Sequence, residues 1–218
     1  MQTLKEVNRE EWERRLDKRK SLYREKHRYK IALERLVSFK PDRWIDIGAG
    51  NGYLAEITKQ KLPSIHATGI DFVPEALEDA VDLDEKKVVN LDSESIPYPD
   101  NTFDYVTCLE VIEHLTMRDN TLTEINRILR PGGKCLISVP NIQFIEYLIA
   151  IFKGKMPNPA ADTRHMSIFT LRFLKQQIEK TGLKVTYTSG CDASPGWLSK
   201  ISVKYLCKTI IAEAVKPG

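Results

Sequence analysis

Trp44-Ile45-Asp46-Ile47-Gly48-Ala49-Gly50-Asn51-Gly52-Tyr53 decides the fold: an apolar run with an embedded acid breaks into three glycines at alternate positions. The run reads as a buried parallel strand turning sharply into a helix. Glycine is needed where the backbone takes positive φ or approaches a ligand closely, so the turn is expected to press main chain against a small molecule.

Working outward, strand and helix alternate. Residues 43–47 read as strand one and 54–61 as the helix after it. Residues 66–70 form strand two, ending at Asp71, and Pro74 opens a helix that 75–81 continue. Strands three, four and five are expected over 87–91, 103–109 and 134–139, with an amphipathic helix over 117–129 and a turn at Pro131-Gly132-Gly133. Thr170 caps a helix over 171–181 that Gly182 ends, 184–189 reads as strand six, and 190–197 as a loop whose Trp197 either stacks on a ring or packs. Residues 201–216 include an antiparallel last strand with Ile210, Ile211 and Ala212 buried. This pattern specifies an α/β, doubly wound Rossmann-like sheet, mostly parallel, with helices on both faces. Ligands of such sheets bind beyond the carboxyl ends of the strands where the strand order reverses, which is where residues 48–52 and Asp71 must lie.

A chain of 218 residues is long enough for one sizeable core with a small appendage. Its N-terminus is too charged for a secretory signal and no apolar run reaches the roughly 18 residues of a spanning helix, so a cytoplasmic location is expected. Cys108, Cys135, Cys191 and Cys207 form no close pair and read as reduced, buried small hydrophobes rather than a disulfide framework or a zinc site. Residues 1–40 carry 13 Lys and Arg against 7 Asp and Glu, within a chain of net charge +3. That segment either touches phosphates of RNA, a nucleotide sugar or a membrane surface, or is a solvated helix in which Glu10, Glu11 and Glu13 pair with Arg14, Arg15 and Lys18. Leu4, Trp12, Leu16, Leu22, Tyr23 and Tyr29 need a packing partner in either case.

A dinucleotide site would place a third glycine at position 53, which is Tyr53. The glycine-at-alternate-positions pattern, with an acid two residues upstream, resembles the class I S-adenosylmethionine-dependent methyltransferases. Residues 46–52 look like their first motif, Gly69-Ile70-Asp71 like the second, and Asp104-Tyr105-Val106 with Leu129-Arg130-Pro131-Gly132-Gly133 like later landmarks. The likeness spans roughly residues 40–190 and is similar to quinone O-methyltransferases. It implies a seven-stranded sheet, a methyltransferase domain over 41–218 and an N-terminal helical extension over 1–40.

The resemblance also implies site roles. Gly48, Ala49, Gly50 and Gly52 would cradle S-adenosyl-L-methionine, with S-adenosyl-L-homocysteine as product. Asp71 would accept both ribose hydroxyls, the alternative being a helix N-cap. Asp46, costly in an apolar strand, needs either backbone donors of the glycine turn or the cofactor's amino group. Asp92 with Ser93 would meet the adenine amino group or form a turn, Phe72 would cover the adenine face or fill the core, and Leu109-Glu110 would lie beside the sulfonium.

Glu110-Val111-Ile112-Glu113-His114 carries three ligand-type residues that would converge on one helical turn, with His165 as a fourth. This is similar to the metal cluster of small-RNA 2′-O-methyltransferases and some quinone O-methyltransferases, where Mg²⁺ would orient and acidify an acceptor oxygen. The catalytic candidates are thus His114, Glu113 and His165; the competing readings are His114 or His165 acting alone as general base, or a purely structural role in which Glu113 or His114 caps a helix or bonds the backbone.

After strand five the chain reads Ser138-Val139-Pro140-Asn141 and lacks the Asn-Pro-Pro-aromatic run of amino-methylating nucleic-acid enzymes, which favours oxygen or carbon acceptors; DNA is not expected as a partner. Acceptor choice falls to residues 141–170. Asn141 reads as the N-cap of a helix apolar nearly all round, holding Ile142, Phe144, Ile145, Tyr147, Leu148, Ile149, Ile151 and Phe152. It is either covered by other elements, dips into a membrane interface as a peripheral contact, or lines a greasy acceptor pocket. Residues 153–166 then have the make-up of a basic lid. The expected activity is O-methylation of a small, lipophilic or glycan-type acceptor; the alternatives are an RNA ribose 2′-hydroxyl with Mg²⁺, or a silent S-adenosylmethionine-binding subunit.

Overall fold

The computed structural model describes residues 27–192 and 202–218, so the basic segment of residues 1–26, its acid–base pairs and Trp197 lie outside the described residues. Seven strands form one sheet in the order β3-β2-β1-β4-β5-β7-β6. They are β1 (Arg43–Ile47), β2 (His66–Asp71), β3 (Glu85–Val88), β4 (Phe103–Leu109), β5 (Leu129–Pro140), β6 (Lys184–Cys191) and β7 (Thr209–Val215). The first five are mutually parallel, and β7 runs antiparallel to both β5 and β6. Strand order reverses between β1 and β4, so the glycine turn after β1 and the segment after β4 flank the crevice where such sheets bind ligands.

The central strands are mostly apolar because both faces are covered. Ile45, Ile47, Val106, Cys108, Ile137 and Ala212 face one core, while Trp44, Tyr105, Leu136 and Ile211 face the other. Among the described residues eight helices cover the sheet or its connections: α1 (His27–Phe39), α2 (Tyr53–Lys59), α3 (Pro74–Glu78), α4 (Arg118–Ile128), α5 (Ile145–Phe152), α6 (Asn158–Ala161), α7 (Leu171–Glu179) and α8 (Val203–Leu206). Helix α1 buries Ala32 and Leu36, and its Arg35 is bonded to buried Glu213, which also accepts from Tyr105 Oη at 2.6 Å. Helix α1 is therefore tied to the sheet by packing and by a charge pair. All four cysteines are free and buried. Among the described residues no helix is long and apolar enough to cross a membrane.

Several boundaries differ from expectation for physical reasons. Strand three is Glu85–Val88 rather than 87–91, because an edge strand needs only one partner and Asp71 pairs with Val88. Pro131-Gly132-Gly133 is not a turn before β5 but a bulge inside it: Phe103 pairs with Leu129 and Tyr105 with Lys134, so the residues between bow outward, with Gly132 at φ +78°. Gly190 and Cys191 belong to β6, not to a loop. Asn141 does not cap α5, which starts four residues later. Its side chain instead accepts from Gln143 N (3.0 Å) and donates to Lys204 O (2.9 Å) and Cys207 O (2.8 Å), fixing the exit of β5 to α8. Thr170 does cap α7, accepting from Phe173 N at 3.1 Å.

Candidate functional site

The glycine turn is held by its own backbone and by the end of β2. Gly48 N and Ala49 N both donate to Ile70 O, and Gly50 N donates to Asp71 Oδ2 at 2.9 Å. Gly48 has φ +75°, and a Cβ there would stand 2.4 Å from Val111 Cγ2, so this position admits neither the conformation nor the volume of another residue. Asp71 Oδ1 also accepts from Val73 N at 3.0 Å, and Pro74 then starts α3. Burial raises the Asp71 pKa against these backbone donors. The carboxylate thus clamps two loops together at the rim of the crevice, and the N-cap position itself is Val73.

Asp46 is buried in β1, and its side-chain donor among the described residues is Thr107. Trp44 Nε1 donates to Thr107 Oγ1 (2.8 Å), which donates its one proton to Asp46 Oδ1 at 2.5 Å. Burial pushes the Asp46 pKa up to about 7; Thr107 opposes the rise and the nearby Asp71 adds to it. A carboxyl poised this way gains from any cation brought to the turn.

Asp92 lies beyond β3, half-buried, and its Oδ1 receives Thr116 N (2.8 Å), Thr116 Oγ1 (2.8 Å) and Met117 N (3.0 Å). It anchors the entry to α4. Ser93 beside it is exposed, and Phe72 is half-buried next to Asp71.

The segment after β4 does not form the single helical turn expected over 110–114. Glu110 adopts φ +58°, and only Ile112–His114 make a 3₁₀ turn. Glu110 N donates to Ser138 O and Glu110 Oε1 accepts from Ser138 Oγ, both at 3.0 Å, which separates this side chain from the other ligand types. Glu113, His114 and His165 do meet, with ligand atoms within 4.8 Å of one another and imidazole centroids 4.9 Å apart. Glu113 is 1% exposed, and neither carboxylate oxygen has a hydrogen-bond partner among the described residues. Burial, then Glu110, lifts its pKa well above the usual carboxylate range. His114 Nδ1 lies 3.2 Å from Arg164 O and His165 Nδ1 2.8 Å from Pro159 O. A carbonyl accepts only, so each Nδ1 carries a proton. Burial pushes the His114 pKa down to about 4, which keeps it neutral. Glu113 O accepts from Met166 N and Ser167 N, so main chain fastens the 164–167 segment over the end of β4.

Arg28 joins this crevice without any local sequence signal, as one cation among many in a basic segment. Its Nε is buried with no partner among the described residues. Burial presses its pKa down, but Glu110 first, then Tyr29 and Cys191, outweigh that and raise it. Beside it, Tyr29 packs edge-on against Tyr53, the first residue of α2, at 5.3 Å.

Residues 20–188 match the family model described as a methyltransferase domain. A ubiquinone biosynthesis O-methyltransferase of Aeromonas salmonicida is 31% identical over 166 residues, 70% of this chain and 67% of that protein. A ubiquinone/menaquinone biosynthesis C-methyltransferase of Geobacter sulfurreducens is 34% identical over 134 residues, 48% of this chain and 51% of that protein. The chain thus spans between about half and two thirds of the length of these two relatives. In fold, it is similar to a SAM-dependent methyltransferase from Archaeoglobus fulgidus (TM-score 0.64, 17% identity, 86% of this chain and 94% of that one). It is equally similar to a chain of the complex between the Haloferax volcanii Trm112 methyltransferase activator and a methyltransferase (TM-score 0.64, 22% identity, 87% and 88%).

Proposed function

This chain belongs to the class I S-adenosylmethionine-dependent methyltransferases, and on that premise we propose that it methylates a hydroxyl oxygen of a small, lipophilic acceptor. In this reading the cofactor lies across the strand-order reversal. Asp71 receives the ribose hydroxyls, Asp46 and the turn of Gly48, Ala49, Gly50 and Gly52 meet the methionine amino group, and Arg28 pairs with its carboxylate. Phe72, Asp92 and Ser93 border the adenine, and the Leu109-Glu110 main chain flanks the sulfonium.

The observation that carries the oxygen assignment is the trio beyond β4. Two imidazoles whose Nδ1 protons rest on carbonyls lie beside a buried carboxyl that has no donor among the described residues, and burial keeps His114 neutral. A hydroxyl acceptor gives up one proton as its oxygen bonds the methyl carbon and the sulfonium C–S bond breaks, and an imidazole Nε2 of the trio is placed to take it. In-line alignment of acceptor, methyl and sulfur provides the rest of the acceleration. Relatives that act in quinone biosynthesis agree with a lipophilic acceptor.

The same grouping of ligand atoms supports a second reading in which Glu113, His114 and His165 hold a divalent cation. Two imidazoles and one carboxylate suit zinc, manganese or iron(II) better than the Mg²⁺ expected from sequence, and Glu110, bonded to Ser138, stands outside the trio. A bound cation would lower the pKa of the acceptor hydroxyl. The test is methyl transfer from labelled S-adenosylmethionine to prenylated phenols, before and after exhaustive chelation. Transfer that survives chelation and is lost in His114→Ala and His165→Ala supports the proton-receiving trio, and loss restored by one metal supports the cation. Label entering only RNA would refute the lipophilic acceptor.

A further inference from the structure

Helix α5 wears its apolar side outward. Ile145, Ile149 and Phe152 are spaced to share one face, and they are exposed by 41%, 46% and 91%, whereas no residue of the helix is buried. Met156, just beyond, is 69% exposed. A helix packed in the usual way turns such residues inward and its polar ones to water.

The charge beside this face has one dominant sign. At the end of α5, Gly154 takes φ +68° and Lys155 N returns to Ala150 O at 2.8 Å, so Lys153 and Lys155 stand next to Phe152. Next to the α5 entry lies an open cavity of about 640 Å³, lined by Gln143, Thr170, Arg172, Lys175, Glu179 and Lys204 among others. Lys153 and Lys155 therefore flank the apolar face, against Glu146 on α5, and three further cations stand in the cavity near the α5 entry with Glu179.

We propose that this face docks the protein on an anionic lipid bilayer, with the outward side of α5 in the headgroup–acyl boundary and the cationic border on lipid phosphates. Eight residues of helix measure about 12 Å, which suits lying in the interface and not crossing it. The position fits delivery of a lipophilic acceptor. Helix α5 leaves the carboxyl end of β5, the same side of the sheet as the glycine turn, and residues 158–166 lead from it to His165 and to the carbonyl that holds His114. The inference deepens the lipophilic-acceptor reading, but its test needs no turnover.

The experiment is co-sedimentation of the full chain with phosphatidylcholine vesicles, with and without about 30% phosphatidylglycerol, at low and high salt. Two variants are compared, I149D with F152D, and K153E with K155E, each checked for unchanged S-adenosylhomocysteine binding. The expected result is binding to the anionic vesicles that salt weakens, reduced about tenfold or more by either variant. Binding that either variant leaves intact, or no binding to anionic vesicles, would overturn the proposal. So would a dimer in solution that the I149D/F152D pair dissociates, because a second copy would then cover the face. Vesicle binding combined with methyl transfer to water-soluble acceptors alone would refute the acceptor reading and leave the docking surface standing.

Discussion

Replacing Asp71 by Ala tests both the local architecture and the cofactor assignment. In the structure the carboxylate accepts from Gly50 N at 2.9 Å and Val73 N at 3.0 Å, so its removal leaves two rim donors without an acceptor. That loss costs roughly 1–2 kcal/mol of stability, at the low end because removing a buried carboxylate also relieves desolvation. If the same group receives two ribose hydroxyls, each charge-assisted bond contributes about 1.5–3 kcal/mol, so affinity for S-adenosylhomocysteine should fall at least a hundredfold. Asp71→Asn should not rescue it, because either amide orientation sets an NH₂ against Gly50 N–H or Val73 N–H. Isothermal titration of the folded variants with S-adenosylhomocysteine provides the readout. A cooperative, folded Asp71→Ala protein whose affinity changes less than about threefold would refute the placement of the ribose.

Other outcomes follow from the same geometry. Asp46 has a folded pKa of about 7 against an ordinary 3.8, so the native state binds the extra proton between those values and stability falls as pH rises from about 4 to 7. Asp46→Asn should remove that slope, making the apo protein more stable at pH 8 by on the order of 3 kcal/mol in urea denaturation while weakening cofactor binding. His114→Ala and His165→Ala should each lower kcat by about 10²–10⁴ with S-adenosylhomocysteine affinity unchanged. Gly48→Ala should destabilise by about 3 kcal/mol because positive φ and Val111 both oppose a Cβ, whereas Gly132→Ala, with open space at φ +78°, should cost only about 1–2 by thermal melting. Arg28→Met should weaken S-adenosylhomocysteine binding about tenfold or more and leave 5′-methylthioadenosine, which lacks the carboxylate, unaffected.

The central sheet was legible because β1 beyond Arg43 and all of β4 are buried on both faces and so are dominated by apolar residues, and Arg43–Ile47 and Phe103–Leu109 match the expected spans residue for residue. Strand β3 was less so: Glu85-Lys86-Lys87 lies at an edge, where backbone pairing and not side-chain burial sets the limits. The positive φ of Glu110 follows from tertiary contacts with Ser138 and leaves no mark in the sequence, which is why four ligand-type residues reduce to three. Composition could not say which way α5 faces, since a helix apolar nearly all round has no polar stripe to orient it. Thr107 and Arg28 became visible only when distant segments met, at Asp46 and beside Glu110.

Incubating the protein with methyl-labelled S-adenosylmethionine and a total lipid extract, then locating the labelled carbon by NMR, tests the central claim most directly. The account predicts a methoxy signal on a lipid-extractable small molecule, lost in Asp71→Ala and in His165→Ala. Label on carbon or nitrogen, or incorporation confined to RNA or protein, would contradict it.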